Sequence, residues 1–82
     1  MIIVDEKYLI KQLADSVTQR NAFGIVVKQY SESLYWQIRR IVFNHDDAND
    51  VLQNTFIKAW NNLDSFRNDS KLSTWLYRIA IN

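Results

Sequence analysis

The sequence predicts an all-α domain, a compact bundle of about four helices. Three observations carry this. Apolar residues recur at steps of three and four along most of the chain, the spacing that aligns side chains on one helix face. No alternating apolar–polar stretch persists for more than a few residues, so no strand is expected. The 82 residues hold no Pro and one Gly, which leaves little turn chemistry between long periodic segments. The expectation is one domain over residues 1–82. A chain of this size buries only roughly 60% of the surface it exposes when unfolded, so its stability is marginal.

The first helix is expected from Glu6 to about Ser16, with Leu9, Ile10, Leu13 and Val17 on one face and Lys7, Lys11 and Asp15 on the other. Residues 17–20 form a joint. A long helix follows from about Asn21 to Phe43, with Phe23, Val26, Val27, Tyr30, Leu34, Ile38 and Ile41 as its apolar stripe. Asn21 is a suitable N-cap, because its side-chain oxygen can accept from a first-turn amide. Gly24 costs that helix ~1 kcal/mol relative to Ala and is read as close packing or a slight kink. The polar run Asn44–Asp47 ends it, and isolated His45 receives no role.

The third helix, from about Asp47 to Asn62, has two differently dressed faces. Val51, Leu52, Thr55, Phe56, Ala59, Trp60 and Leu63 form the core stripe. Asp47, Asp50, Gln53, Asn54 and Ile57 form an acidic, amide-bearing face tipped by an apolar Ile, which suits a protein partner better than water. Its early aspartates also favour the positive end of the helix dipole. A polar loop over 64–70 contains Phe66 and Arg67. Ser70 is the expected N-cap of a last helix, whose core face is Leu72, Trp75, Leu76 and Ile79.

Composition excludes several classes. There is no Cys, so there is no disulfide or thiolate metal site. One His, no Gly-rich phosphate loop and no carboxylate–His cluster leave nothing from which to build an enzyme site, a metal site or a cofactor site. The apolar runs fall far short of the ~18 residues of a membrane span. The N-terminus lacks the basic segment of a signal peptide, so the expected location is cytoplasmic. Net charge is +1, but it is unevenly spread: from Lys58 onward, Lys58, Arg67, Lys71 and Arg78 face only Asp64 and Asp69. The loop and last helix thus gather bases, hydroxyls, amides and aromatics. That mixture suits single-stranded nucleic acid, where aromatics stack on bases and Lys or Arg pair with phosphates.

Taken singly, these features read blandly. Trp60 and Trp75 are core positions on their stripes, and Trp36 lies off its stripe. Asp46 and Asp47 serve as dipole-favourable caps, Arg67 and Lys71 as surface charge, and Tyr77 packs on the long helix. Arg39 and Arg40 could contact DNA backbone or pair with acids, with a surface role favoured.

Together they carry a resemblance. Asp47-Ala48-x-Asp50-x-x-Gln53-x-Thr55-Phe56-Ile57-Lys58-Ala59-Trp60, then Phe66-Arg67, then Ser73-Thr74-Trp75-Leu76-Tyr77-Arg78-Ile79-Ala80-x-Asn82, resembles region 2 of bacterial sigma factors, in particular the extracytoplasmic-function group. The first half matches by helix lengths and by Ala22, Phe23 and Tyr30. The resemblance implies the promoter-recognition domain of an alternative sigma factor. It implies that Asp47, Asp50, Gln53, Asn54 and Ile57 dock on the clamp helices of the RNA polymerase beta-prime subunit. It implies that Phe66, Arg67, Asp69, Ser70, Lys71, Ser73, Thr74, Trp75, Arg78 and Asn82 read the unpaired non-template strand of the minus-ten element, with a base extruded into a pocket. An anti-sigma factor is a further implied partner. Asn49 and Asn54 replace acids usual in the family, Asn68 replaces a common Gly, and Leu72 replaces an aromatic. The family's second, helix-turn-helix domain is missing, so the chain is expected to be a fragment. The rival expectation is a sigma-like helical protein-interaction module, a regulator or anti-sigma target that does not bind DNA.

Overall fold

A computed structural model describes residues 3–66 and 70–82 of the chain. Four α-helices run in the order α1 (Glu6–Leu13), α2 (Gln19–Arg39), α3 (His45–Asn61) and α4 (Leu72–Ile81), with a 3₁₀ turn at Leu63–Ser65 before α4. No strand occurs among the described residues. The α2 helix packs against each of the other three, and α3 packs against α4. The core is Leu9 and Leu13 from α1, Phe23, Val26, Leu34 and Ile38 from α2, Ala48, Phe56 and Ala59 from α3, and Leu72 and Leu76 from α4. Phe23 is its aromatic centre, edge-on to Phe56 at 6.2 Å and tilted against Trp60 at 5.3 Å.

The helix ends differ from the sequence expectation, and local hydrogen bonds explain how. The α1 helix stops at Leu13 instead of Ser16. Asp15 accepts from the Val17 amide at 2.8 Å, and the Thr18 hydroxyl donates to the Gln12 carbonyl at 2.7 Å. Such side-chain-to-backbone bonds compete with helix continuation. Val17, expected on the core face, is therefore 86% exposed. The α2 helix begins at Gln19, with Thr18 and not Asn21 in the N-cap position and no side-chain cap bond. It ends at Arg39, four residues before Phe43. Arg39 donates to the Val42 carbonyl at 3.0 Å, so this half-buried base secures the turn. Ile41, assigned to the α2 stripe, lies outside the helix and is exposed, as is Phe43.

Gly24 is neither closely packed nor a break. It is exposed, α2 runs through it, and a Cβ built there would meet nothing within 4 Å. The α3 helix starts two residues early because Asn44 caps it: its Oδ1 accepts from the Asp47 amide at 2.8 Å. His45 becomes the first helical residue. The leading segment is pinned to α2 by Gln29, whose amide group accepts from Val4 N at 2.8 Å and donates to Val4 O at 2.9 Å.

Candidate functional site

The site has two parts, each borne on a helix anchored by its opposite face. On α3, burial of Ala48, Thr55, Phe56 and Ala59 turns the polar stripe outward. Asp47, Asp50, Asn54 and Ile57 follow one another at steps of three and four, with Gln53 beside them, and all five are exposed. Ile57 is 59% exposed, an apolar tip on a polar ridge. The Asp47 carboxylate is partly engaged, accepting from Asn44 Nδ2 at 3.2 Å while its own amide donates back. Beside it, His45 and Asp46 lie 3.7 Å apart. Thr55 faces inward and donates to the Val51 carbonyl at 2.7 Å, which lets a hydroxyl sit in the core. Trp60, expected in the core, lies at its rim, 37% exposed and leaning on Phe23.

The second part is α4 and the turn before it. Burial of Leu72 and Leu76 leaves Lys71, Thr74, Arg78 and Asn82 along one exposed stripe. Ser70, Ser73 and Trp75 are half-buried at its edge. Phe66 is placed by the 3₁₀ turn, in which the Ser65 hydroxyl donates to the Asn62 carbonyl at 2.6 Å and Phe66 N to Leu63 O at 3.2 Å. The Phe66 ring then meets Trp75 edge to face at 5.2 Å. Arg67 and Asp69, also expected here, lie outside the described residues.

Lys71, not Ser70, occupies the N-cap position of α4, and it makes no side-chain cap bond. The cap comes from across the molecule. Glu6 Oε1 accepts from the Leu72 amide at 3.3 Å and from the Tyr30 hydroxyl at 3.0 Å. One carboxylate thus joins α1, α2 and the start of α4. Burial, with the neighbouring Glu6 carboxylate next in weight, pushes the Tyr30 hydroxyl up to about 12. The first backbone amide of α4 is therefore used internally. A second feature without a sequence signal is a cavity of about 300 Å³ between α1 and α4, lined by Ile10, Lys11, Leu13, Ala14, Leu63, Phe66 and Trp75. Lys11 read as ordinary solvated face, and only packing shows that α1 borders Phe66 and Trp75.

The α3 ridge carries acids and the α4 stripe carries bases, and both elements sit on the part of the chain that aligns with known proteins. The family description Sigma-70 region 2 matches residues 26–82. The chain belongs to the sigma-70 region 2 family. It is 43% identical over 74 residues to the RNA polymerase sigma-H factor of Pseudomonas aeruginosa, covering 88% of this chain and 38% of that protein. It is 41% identical over 76 residues to the ECF RNA polymerase sigma factor SigW of Bacillus subtilis, covering 93% and 40%. With the ECF RNA polymerase sigma-E factor of Haemophilus influenzae it shares 38% identity over 79 residues, covering 94% and 41%. The chain therefore spans about two fifths of the length of these relatives.

As a region 2 domain of the extracytoplasmic-function group, the chain places its departures informatively. Leu72, where the resemblance implies an aromatic, is fully buried in the core and not at the α4 surface. Asn49 and Asn54, where the resemblance implies acids, are both exposed on α3. Asn68 lies outside the described residues. No helix among the described residues is long and apolar enough to cross a membrane, and no group of His, Asp or Glu among them could hold a metal ion.

Proposed function

We propose that this domain serves an alternative sigma factor in transcription initiation, working by binding and without covalent chemistry. The exposed ridge Asp47, Asp50, Gln53, Asn54 and Ile57 docks on the clamp helices of the RNA polymerase beta-prime subunit. Phe66, Arg67, Asp69, Ser70, Lys71, Ser73, Thr74, Trp75, Arg78 and Asn82 hold the unpaired non-template strand of the minus-ten element. Capture of an extruded base offsets part of the few kcal/mol that unstacking costs and so helps keep promoter DNA open. An anti-sigma factor competing for the α3 ridge and a cytoplasmic location accompany this reading.

The observation that carries it is the pairing of two opposite surfaces on one core. The α3 and α4 helices pack against each other, yet an acidic ridge points out from one and a basic, hydroxyl-rich stripe from the other. A plain interaction module has no use for the second. The test measures two affinities of the same domain. Binding to a beta-prime clamp-helix fragment should weaken about fivefold or more in Asp50→Ala and in Gln53→Ala, the loss expected of a central contact. Binding to a single-stranded oligonucleotide should weaken in Arg78→Ala and with added salt. Clamp-fragment binding that ignores both α3 substitutions would sink the docking assignment. Absence of any single-strand affinity would favour the protein-binding rival.

A further inference from the structure

We infer that Phe43 is an apolar anchor of the polymerase-docking surface, seated in an apolar socket of the clamp-helix partner at the acidic end of the α3 ridge. This rests on the docking assignment above and adds to it a residue that lies outside α3, in the turn from α2.

The Phe43 ring has no task inside the domain. It is 98% exposed, so it is not part of the core. Phe43 stands immediately before Asn44, the N-cap of α3. A hydrophobic residue in that place often packs on the fourth helical residue, here Ala48. A ring this exposed covers nothing, and Ala48 is fully buried without it. The turn is nevertheless held on both sides. Arg39 donates to the Val42 carbonyl at 3.0 Å before the ring, and Asn44 accepts from the Asp47 amide at 2.8 Å after it. Phe43 thus projects from a fixed backbone, and a partner that covers it has less freedom to remove. Ile41, also exposed, adds apolar surface to the same turn.

Continuity and charge name the occupant. Asp47, where the ridge begins, follows Phe43 by one helical turn, and Ile57 closes the ridge at its other end. Two exposed apolar residues therefore bracket a polar ridge about 15 Å long, at 1.5 Å of rise per residue. Asp46, Asp47 and Asp50 lie between them, and no Lys or Arg does. Three carboxylates repel a phosphate backbone, so nucleic acid is the wrong occupant. A basic protein helix with apolar side chains toward its ends is the right one. An aromatic anchor beside polar contacts is also the usual makeup of a binding hot spot. The turn stands apart from the strand-binding surface as well. The length of α3, about 25 Å, separates it from the 3₁₀ turn that places Phe66.

The experiment measures binding of the domain to the beta-prime clamp-helix fragment at low and at high salt. Phe43→Ala should weaken it about fivefold or more, and by the same factor at both, because an apolar contact is not screened. The loss in Asp50→Ala should shrink as salt rises. Phe43→Leu should keep most of the affinity. Phe43→Gln should lose as much as Phe43→Ala, so the result does not hang on one variant. Val17→Ala, at another highly exposed apolar residue in the α1–α2 joint, should change nothing. Thermal melts verify that each variant folds, and single-strand binding of Phe43→Ala should match that of the unsubstituted domain. If Phe43→Ala and Phe43→Gln bind the fragment normally while Asp50→Ala loses affinity, Phe43 is no anchor and the docking assignment stands. A loss that vanishes at high salt, or an equal loss in Val17→Ala, also overturns the anchor. If Phe43→Ala weakens the single strand and spares the fragment, the turn faces nucleic acid and the inference fails. If sedimentation finds a dimer that Phe43→Ala makes monomeric, the turn meets a second copy and the inference again fails. If the unsubstituted domain does not bind the fragment, the docking assignment itself falls and the anchor with it.

Discussion

Replacing Glu6 with Ala should destabilise the whole domain, although Glu6 is neither in the core nor on a proposed binding surface. Its Oε1 accepts from the Tyr30 hydroxyl at 3.0 Å and from the Leu72 amide at 3.3 Å, both partly buried. A hydrogen bond to a charged acceptor contributes about 1.5–3 kcal/mol, and a donor left unsatisfied costs about 1–3 kcal/mol. The Leu72 bond is long, and water can reach part of the site, so the low end applies to each. The two together give about 2–3 kcal/mol. For a domain of this size that is roughly 10–20 °C in melting temperature. Glu6 also lies in the first turn of α1, where its charge adds ~0.3–1 kcal/mol through the helix dipole. Tyr30→Phe removes one bond without touching that charge and should cost only about 1 kcal/mol. Glu6→Gln loses the charge but keeps an acceptor, so it should fall between. Circular-dichroism melts at pH 7 on the three variants, with the double variant to close the cycle, measure this directly. Because the second bond caps α4, Glu6→Ala should also weaken single-strand binding at temperatures where the domain is still folded. A Glu6→Ala domain within about 0.5 kcal/mol of the parent, the usual range for surface substitutions, would refute the claim that this carboxylate ties three helices together.

Three further outcomes follow from the same structure. Tyr30 is held neutral up to about pH 12 in the fold, whereas its ordinary value is 10.0. The unfolded chain loses this proton first, so stability present below pH 10 should be lost between pH 10 and 12, and urea titrations should show that slope flattened in Tyr30→Phe. Gly24→Ala should stabilise the domain by about 1 kcal/mol, since the helix is continuous there and the added methyl meets nothing; a lower melting temperature would mean that the α2 surface is not as described. Asn44→Ala should cost about 1 kcal/mol by removing the α3 cap, and Asn44→Asp should restore most of it in the same melting assay.

The fold class and the two surfaces were legible from residue order because helical periodicity is a local property. On α3, the steps that bury Ala48, Phe56 and Ala59 necessarily expose Asp50, Asn54 and Ile57. The same holds on α4 for Leu72 and Leu76 against Thr74 and Arg78. Helix ends were less legible, since they turn on which of several polar side chains takes a given backbone group. Asn21 and Ser70 were reasonable caps, but Thr18 precedes α2 and Lys71 precedes α4. Val17 and Ile41 kept the spacing of their stripes after the helices had stopped, so periodicity assigned them to a core they do not enter.

Residue order by itself therefore determined the helices, their inward faces, the acidic ridge, the basic stripe and the family to which they belong. All of these depend on side chains within a few turns of one another. Tertiary packing alone decided that Glu6 caps a helix 66 positions away, that Tyr30 holds its proton far above the ordinary range, and that Lys11 overlooks a cavity walled by Phe66 and Trp75. Those contacts join residues with no shared period. They exist because α2 brings α1 and α4 together around one core, and nothing in the local pattern of either helix records where the other will lie.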